Sequence, residues 1–275
     1  ERYSHMLNDL RSVLQQTLTE GADPSKGLKI LQAMTPFWIE YSLYDECQRH
    51  IYPLLYENTS QVVLTLRQRM NLSAVAGKAS TWAKGPTPET HSAWKTALTI
   101  AEKLDDKEIR LQAHYGLWLY YLRTGELDKA LEHAQSMCEL ARSITDEEAM
   151  ATGLRILGVS LHFLGRHDVG RDYLQQSLDW YEHGELSHSF RFGLDQESAG
   201  QAFLSRLLWL QGEYKAAKQM AWRGVKKAAR LQHVCSLCCA LAEGACMTAA
   251  LDRNPRWVIK AANWLIHLAK RHDLY

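Results

Sequence analysis

His233, Cys235, Cys238 and Cys239 stand within seven residues, in "HVCSLCC". Imidazole and thiolate are soft metal ligands, and on a helix the three cysteines share one face. Structural zinc sites normally draw ligand pairs from two segments, and no second CxxC occurs. Packing of small, weakly polar side chains is the plainer reading of the cluster; a metal or redox role is the other. Twelve histidines are scattered along the chain, and His183 and His188 lie in "HGELSHSF", which reads as a loop. "GKAST" (Gly77–Thr81) lacks the upstream glycine of a phosphate-binding loop. No G-x-G-x-x-G, H-E-x-x-H or G-x-S-x-G occurs, nor any grouping of a nucleophile with an acid–base pair. The expectation is therefore a region that is not an enzyme and holds neither cofactor nor metal.

The elements that would position such residues are helices. Apolar residues recur at helical spacing, as in Leu154, Leu157, Leu161 and Leu164, and few segments alternate with period two. Ala, Leu, Gln, Glu, Lys and Arg fill the stretches between six prolines and 16 glycines. The chain of 275 residues reads as all-α. Its 32 Lys and Arg against 31 Asp and Glu give a net charge of +1. That balance lacks the basic excess of a dedicated nucleic-acid domain, so no direct nucleic-acid contact is expected. No apolar run approaches the ~20 residues of a membrane span, and "ERYSHMLNDL" has no signal-peptide core. A cytoplasmic protein with no membrane contact is the expectation.

One grammar returns along the chain. Gly85, Gly125, Gly165 and Gly212 each follow one amphipathic stretch and precede another. Tyr121, Leu161 and Leu208 lie four residues before their glycines, and Ala130, Gly170 and Ala217 lie five after. A glycine accepts the left-handed backbone that closes a helix, and a small residue in the next helix allows close approach. The unit is a helix–turn–helix hairpin, repeated, and such arrays bury a core only by stacking neighbours.

With "GELDKA" (Gly125–Ala130), "GEYKAA" (Gly212–Ala217) and the pair Leu157–Gly158, the chain resembles the tetratricopeptide family. That resemblance implies a helical-hairpin solenoid wound as a right-handed superhelix. The first helix of each pair would line its inner face. The Gly85 unit departs from the pattern, with Thr90 where Ala is expected and "KGPTPET" in place of a tight turn. Spacings of 40 and 47 residues between these glycines exceed the family's ~34. The whole of 1–275 reads as a single array: 1–69 degenerate first hairpins, 70–236 core repeats, 237–275 a last hairpin.

Three longer stretches carry a second resemblance: Phe37–Ile51, Gly77–Leu127 and Phe190–Ala217, the last with Phe192, Gly193 and Asp195 in register with an aromatic-Gly-x-Asp segment. Together they are similar to the C-terminal sensor region of bacterial signal-transduction ATPases that carry an N-terminal winged-helix DNA-binding domain. "ERYSHMLNDLRSVLQQTL" resembles the linker after that ATPase, and "LAKRHDLY" closes on a helix without a polar cap. The resemblance implies a fragment of a longer transcriptional regulator. Its partners would be the ATPase and winged-helix parts of the same chain, and its role would be to sense a ligand or partner. A constitutive protein-interaction scaffold is the alternative.

Counting from the turn glycines, the groove would be lined by Trp82, then Tyr115, Leu119 and Arg123, then Arg155, Val159 and His162, then Arg206 and Trp209. Arginine offers a planar fork for carboxylate or phosphate, and the aromatics offer an apolar wall. A small anionic or aromatic molecule, or an acidic peptide segment, would suit this lining. Pairing of the arginines with acidic neighbours is the competing reading. Arg191 and Asp195 are expected to fold over one end as a loop wall.

Overall fold

The computed structural model describes residues 9, 11–14, 16, 24–41, 43–56, 63–182, 189–272 and 274. Among them every regular element is helical. Twelve helices follow in order: α1 (Pro24–Glu40), α2 (Tyr44–Tyr56), α3 (Leu66–Ala83), α4 (Pro88–Lys103), α5 (Lys107–Thr124), α6 (Leu127–Ser143), α7 (Glu147–Phe163), α8 (His167–Glu182), α9 (Gln196–Leu210), α10 (Tyr214–Arg230), α11 (Val234–Leu251) and α12 (Pro255–Arg271). Each packs against its chain neighbours. The first helices of successive pairs also touch: α3 meets α5, α5 meets α7, and α7 meets α9. The chain is a tetratricopeptide-like stack of helical hairpins.

The turn grammar has a hydrogen-bond basis. Gly125, Gly165 and Gly212 sit at φ near +80°. In each case the amide just beyond the glycine donates to the carbonyl five residues earlier, at 2.8–2.9 Å: Glu126 to Tyr121, Arg166 to Leu161, Glu213 to Leu208. The large residue four before each glycine is thus the one whose carbonyl closes the helix. At Gly85 the pattern shifts, because Gly85 itself donates to Ser80 O at 3.0 Å. Thr90, in place of the expected alanine, is buried and donates its hydroxyl to Gly85 O at 2.8 Å. The atypical residue thereby stitches the longer turn. Two helix backbones approach closely at Gly158 and Gly170, where a Cβ on either would lie 2.7–2.8 Å from the other's carbonyl oxygen.

Four other turns are closed without glycine. Asp105, Thr145, Gln232 and Arg253 take φ of 50–56°, and each is followed by a helix N-cap: Asp106, Asp146, His233 and Asn254. Each of these caps accepts an amide of the first helical turn, satisfying an otherwise orphaned donor.

Gly77–Thr81 lies inside α3. His183 and His188 lie outside the described residues, as does most of the N-terminal stretch 1–23. The membrane-span expectation needs correction. α11 is 18 residues long with a mean hydropathy of 1.7, enough to cross a bilayer by length and composition. Here it packs against α9, α10 and α12, with 44% of the segment buried.

Candidate functional site

Five first helices present their inner faces to one space. Trp82 comes from α3, Tyr115, Trp118 and Arg123 from α5, Arg155 and Phe163 from α7, and Phe203 from α9. α11 contributes Cys238, Cys239 and Glu243, and α12 closes the opening with Leu265 and Ile266. The cavity measures about 540 Å³, within the ~300–1,000 Å³ of small-molecule sites. Most of its walls are aromatic or aliphatic.

Arg155 is the central charge. It is 1% exposed. Its Nε donates to Gln196 Oε1 at 2.8 Å and its Nη2 to the Tyr115 hydroxyl at 3.3 Å. The guanidinium lies 5.3 Å from the Trp118 ring centre and 5.8 Å from that of Tyr115. Its partners are thus neutral, and no ion pair with a carboxylate forms among the described residues. Burying a cation without a counter-ion is costly, and two ring faces offset only about 0.5–2 kcal/mol each. The environment favours arrival of an anion. Trp118 is itself fixed, its indole donating to Ser160 Oγ at 2.9 Å.

Arg123 supplies a second cation at the rim. It is exposed, lies 5.5 Å from the Trp82 ring and donates to Thr81 O at 3.2 Å. Arg206 differs. It donates to Glu243 Oε2 at 2.7 Å and lies over Phe163 and Phe203. Burial pulls its pKa down, against the pull of Glu243. It neutralises Glu243, the one wall carboxylate among the described residues, and holds two wall aromatics.

Of the residues placed in the groove from the sequence, Trp82, Tyr115, Leu119, Arg123 and Arg155 line this cavity. Val159 is fully buried in the core. His162 and Trp209 are not among the walls. His162 Nδ1 faces His167 Nδ1 at 3.1 Å, across the α7–α8 turn. Trp209 packs on Tyr214, across the α9–α10 turn. Both side chains are engaged across their turns, whereas Phe163, the residue after His162, leaves α7 at a different angle and lines the cavity.

Neither Arg191 nor Asp195, the residues expected to form a loop wall, lines the cavity; the loop reaches it through Leu194, which lies between them. Phe192 packs on Tyr115 and Gly193 backs onto Trp82. Arg191 points away, pairing with Glu108, Asp146 and Glu148 at the starts of α5 and α7. Asp195 is fully buried as the N-cap of α9, accepting from Ser198 N at 2.8 Å. Burial raises its pKa.

Sequence reasoning missed Trp118, Phe163, Phe203 and Glu243, and the closure by α12. Trp118 follows Tyr115 by three on the same helix, which was a usable signal. Glu243 lies in a π-helical turn, Ala240–Cys246, which helical counting at 3.6 residues per turn does not anticipate. Cys235, Cys238 and Cys239 all border the cavity. Burial pushes the Cys238 thiol up to about 11 and the Cys239 thiol up to about 12. Both are therefore protonated and poorly nucleophilic at neutral pH.

No family model matches the chain, and no curated protein matches it. Solved structures do. A Rap protein complexed with competence and sporulation factor superposes with a TM-score of 0.68 at 15% identity, covering 98% of this chain and 80% of its own. A signal transduction ATPase with numerous domains and a tetratricopeptide repeat sensor, from Pyrococcus horikoshii, gives 0.58 at 14% identity. That match covers 95% of this chain but 37% of the other. Tetratricopeptide-like repeats of a kinesin light chain from Podosopora anserina give 0.52 at 15% identity, covering 77% and 97%. At such identities the likeness is one of architecture, and it agrees with the hairpin geometry above: the chain has a tetratricopeptide-like helical-repeat fold.

Proposed function

We propose that this array is a sensor that takes a small anionic molecule with an apolar or aromatic body into the cavity between its first helices. The observation that carries the reading is Arg155, a buried cation with only neutral partners in a wall of aromatics. The size of the space, about 540 Å³ with Leu194 and α12 in its walls, suits a small molecule better than a segment running the length of a groove. The role follows by linkage: a ligand that binds one arrangement of the hairpins better than another shifts the population between them. The array would serve as the cytosolic sensor of a bacterial transcriptional regulator, controlling ATPase and DNA-binding parts of a longer chain. Support for that wider role is the resemblance along Phe37–Ile51, Gly77–Leu127 and Phe190–Ala217, and the likeness to an ATPase whose sensor is a tetratricopeptide repeat.

A thermal-shift screen tests this. Aryl and alkyl carboxylates are expected to raise the melting temperature, and their amides are not. Arg123→Ala, at an exposed site, is expected to weaken the response about tenfold, since a hydrogen bond to a charged group contributes ~1.5–3 kcal/mol. A response to acidic peptides alone would support a constitutive scaffold instead.

A further inference from the structure

A second, larger concavity, sharing no lining residue with the first, lies between α10 and α12. It measures about 1060 Å³ and is open to solvent. Its lining is basic: Lys218, Arg223, Lys226, Lys227, Arg230 and Lys260. The floor is Trp222 packed edge-on against Trp257, ring centres 5.4 Å apart at 69°. Three of the cations are answered locally, Lys218 by Asp252, Arg223 by Glu182 and Lys227 by Glu197. Lys260 lies over the Trp257 ring. Lys226 and Arg230, one helical turn apart and both exposed, have no carboxylate partner among the described residues.

Like charges at this spacing repel and destabilise a helix in isolation. Here they flank an apolar floor. Trp257 is 44% exposed, and Trp264, two turns further along the same face of α12, is 39% exposed. A chain with a net charge of only +1 has concentrated its excess of cations beside exposed indoles. From Lys218 to Arg230 the wall runs ~18 Å at 1.5 Å per residue, room for roughly five or six residues of extended chain at ~3.3 Å each.

We propose that the α10–α12 groove is a docking site for an acidic protein segment with interspersed apolar residues. Its apolar side chains sit on Trp222 and Trp257, and its carboxylates meet Lys226 and Arg230. A nucleic-acid strand fits less well. Stacking of bases needs free ring faces, whereas Trp222 and Trp257 meet edge to face and Lys260 covers one face of Trp257. This site is separate from the cavity lined by Arg155, and the inference does not depend on that cavity's ligand.

The probe is a fluorescein-labelled twelve-residue peptide alternating Glu with Leu and Phe, followed by fluorescence anisotropy on the full chain. A matched peptide with Gln for Glu and a twelve-nucleotide oligothymidylate serve as controls. The acidic peptide is expected to bind at least tenfold more tightly than the Gln peptide, with affinity falling as salt rises. Lys226→Glu with Arg230→Glu is expected to weaken binding at least tenfold while leaving the thermal response to carboxylates intact. Should that variant melt early, Lys226→Gln with Arg230→Gln reads the same effect without charge reversal. Equal binding of the two peptides, or indifference to both variants, overturns the proposal. Tighter binding of the oligonucleotide than of the acidic peptide overturns it in favour of a nucleic-acid surface.

Discussion

Gly116 and Gly77 hold the Trp94 indole between them. A Cβ at Gly116 would lie 2.2 Å from the Trp94 ring, and one at Gly77 would lie 2.6 Å away. The indole is fixed as well by its bond to Thr81 Oγ1 at 3.2 Å, so it cannot simply swing aside. Gly125 presents the opposite case, with nothing within 4 Å of a Cβ but a φ of +81°. Gly116→Ala is expected to cost about 1–3 kcal/mol through overpacking, less up to ~1 kcal/mol from better helix propensity. Gly125→Ala is expected to cost about 1–2 kcal/mol through backbone strain alone. Urea unfolding of both variants checks this. A ligand that reports on the cavity should be disturbed by Gly116→Ala, because Gly116 adjoins the cavity residue Tyr115, and not by Gly125→Ala. The corner glycines were legible in the sequence because their backbone angle selects the residue type. Asp105, Thr145, Gln232 and Arg253 do the same work at four other turns with ordinary side chains, and no residue type there announces it.

At the scale of elements, the segment 189–195 acts as a clasp. Arg191 pairs with Glu108, Asp146 and Glu148, and the half-buried Lys78 donates its amine to Arg191 O at 3.0 Å. Burial brings the Lys78 pKa down to about 8. Burial alone would raise the Glu108 and Asp146 pKa values, yet the hydrogen bonds from Arg191 hold both below their ordinary range. Removing the guanidinium leaves three carboxylates facing one another at two helix starts. Arg191→Ala is expected to cost about 1.5–3 kcal/mol and to speed limited proteolysis within 189–195 before any other described loop is cut. Cleavage elsewhere first, at unchanged stability, would show that the clasp is not what holds the segment. Helix faces could be read by counting from the turn glycines, which is why Tyr115, Arg123 and Arg155 fell in the cavity wall. Asp146 and Glu108 lie 45 and 83 residues from Arg191, and no local pattern encodes such partners. The same holds for α12, whose amphipathic face was visible but whose position over the groove is a matter of tertiary packing.

Across the whole molecule, histidines set the response to acid. His114 and His133 meet through their Nδ1 atoms at 3.0 Å, and burial brings both down to about 4. Burial does the same for His162 and His233. In the unfolded chain these groups titrate near ~6.5. Between pH 6.5 and 4 the unfolded state therefore binds more protons, and stability falls as pH falls. The carboxylates held low by Arg191 add to the loss only further down, as they become protonated. Melting followed by circular dichroism is expected to drop steadily from pH 6.5 to 4.5. His114→Gln with His133→Gln is expected to flatten that slope; an unaltered slope would assign the acid response elsewhere.

The two ends of the stack also meet. Cys235 donates through Sγ to the Tyr44 hydroxyl at 3.6 Å. Leu274 packs on the apolar cluster that holds Leu31, Trp38 and Tyr44. An open solenoid is a spring with two free ends, and it frays from either one because each repeat answers only to its neighbours. Joining the first hairpin to the last turns that spring into a clasped ring. Fraying at one end then also breaks these contacts at the other, so it costs more than it would in an open stack. The cavity sits inside the ring, and a molecule that tightens or loosens it acts on the clasp as well as on the wall it touches.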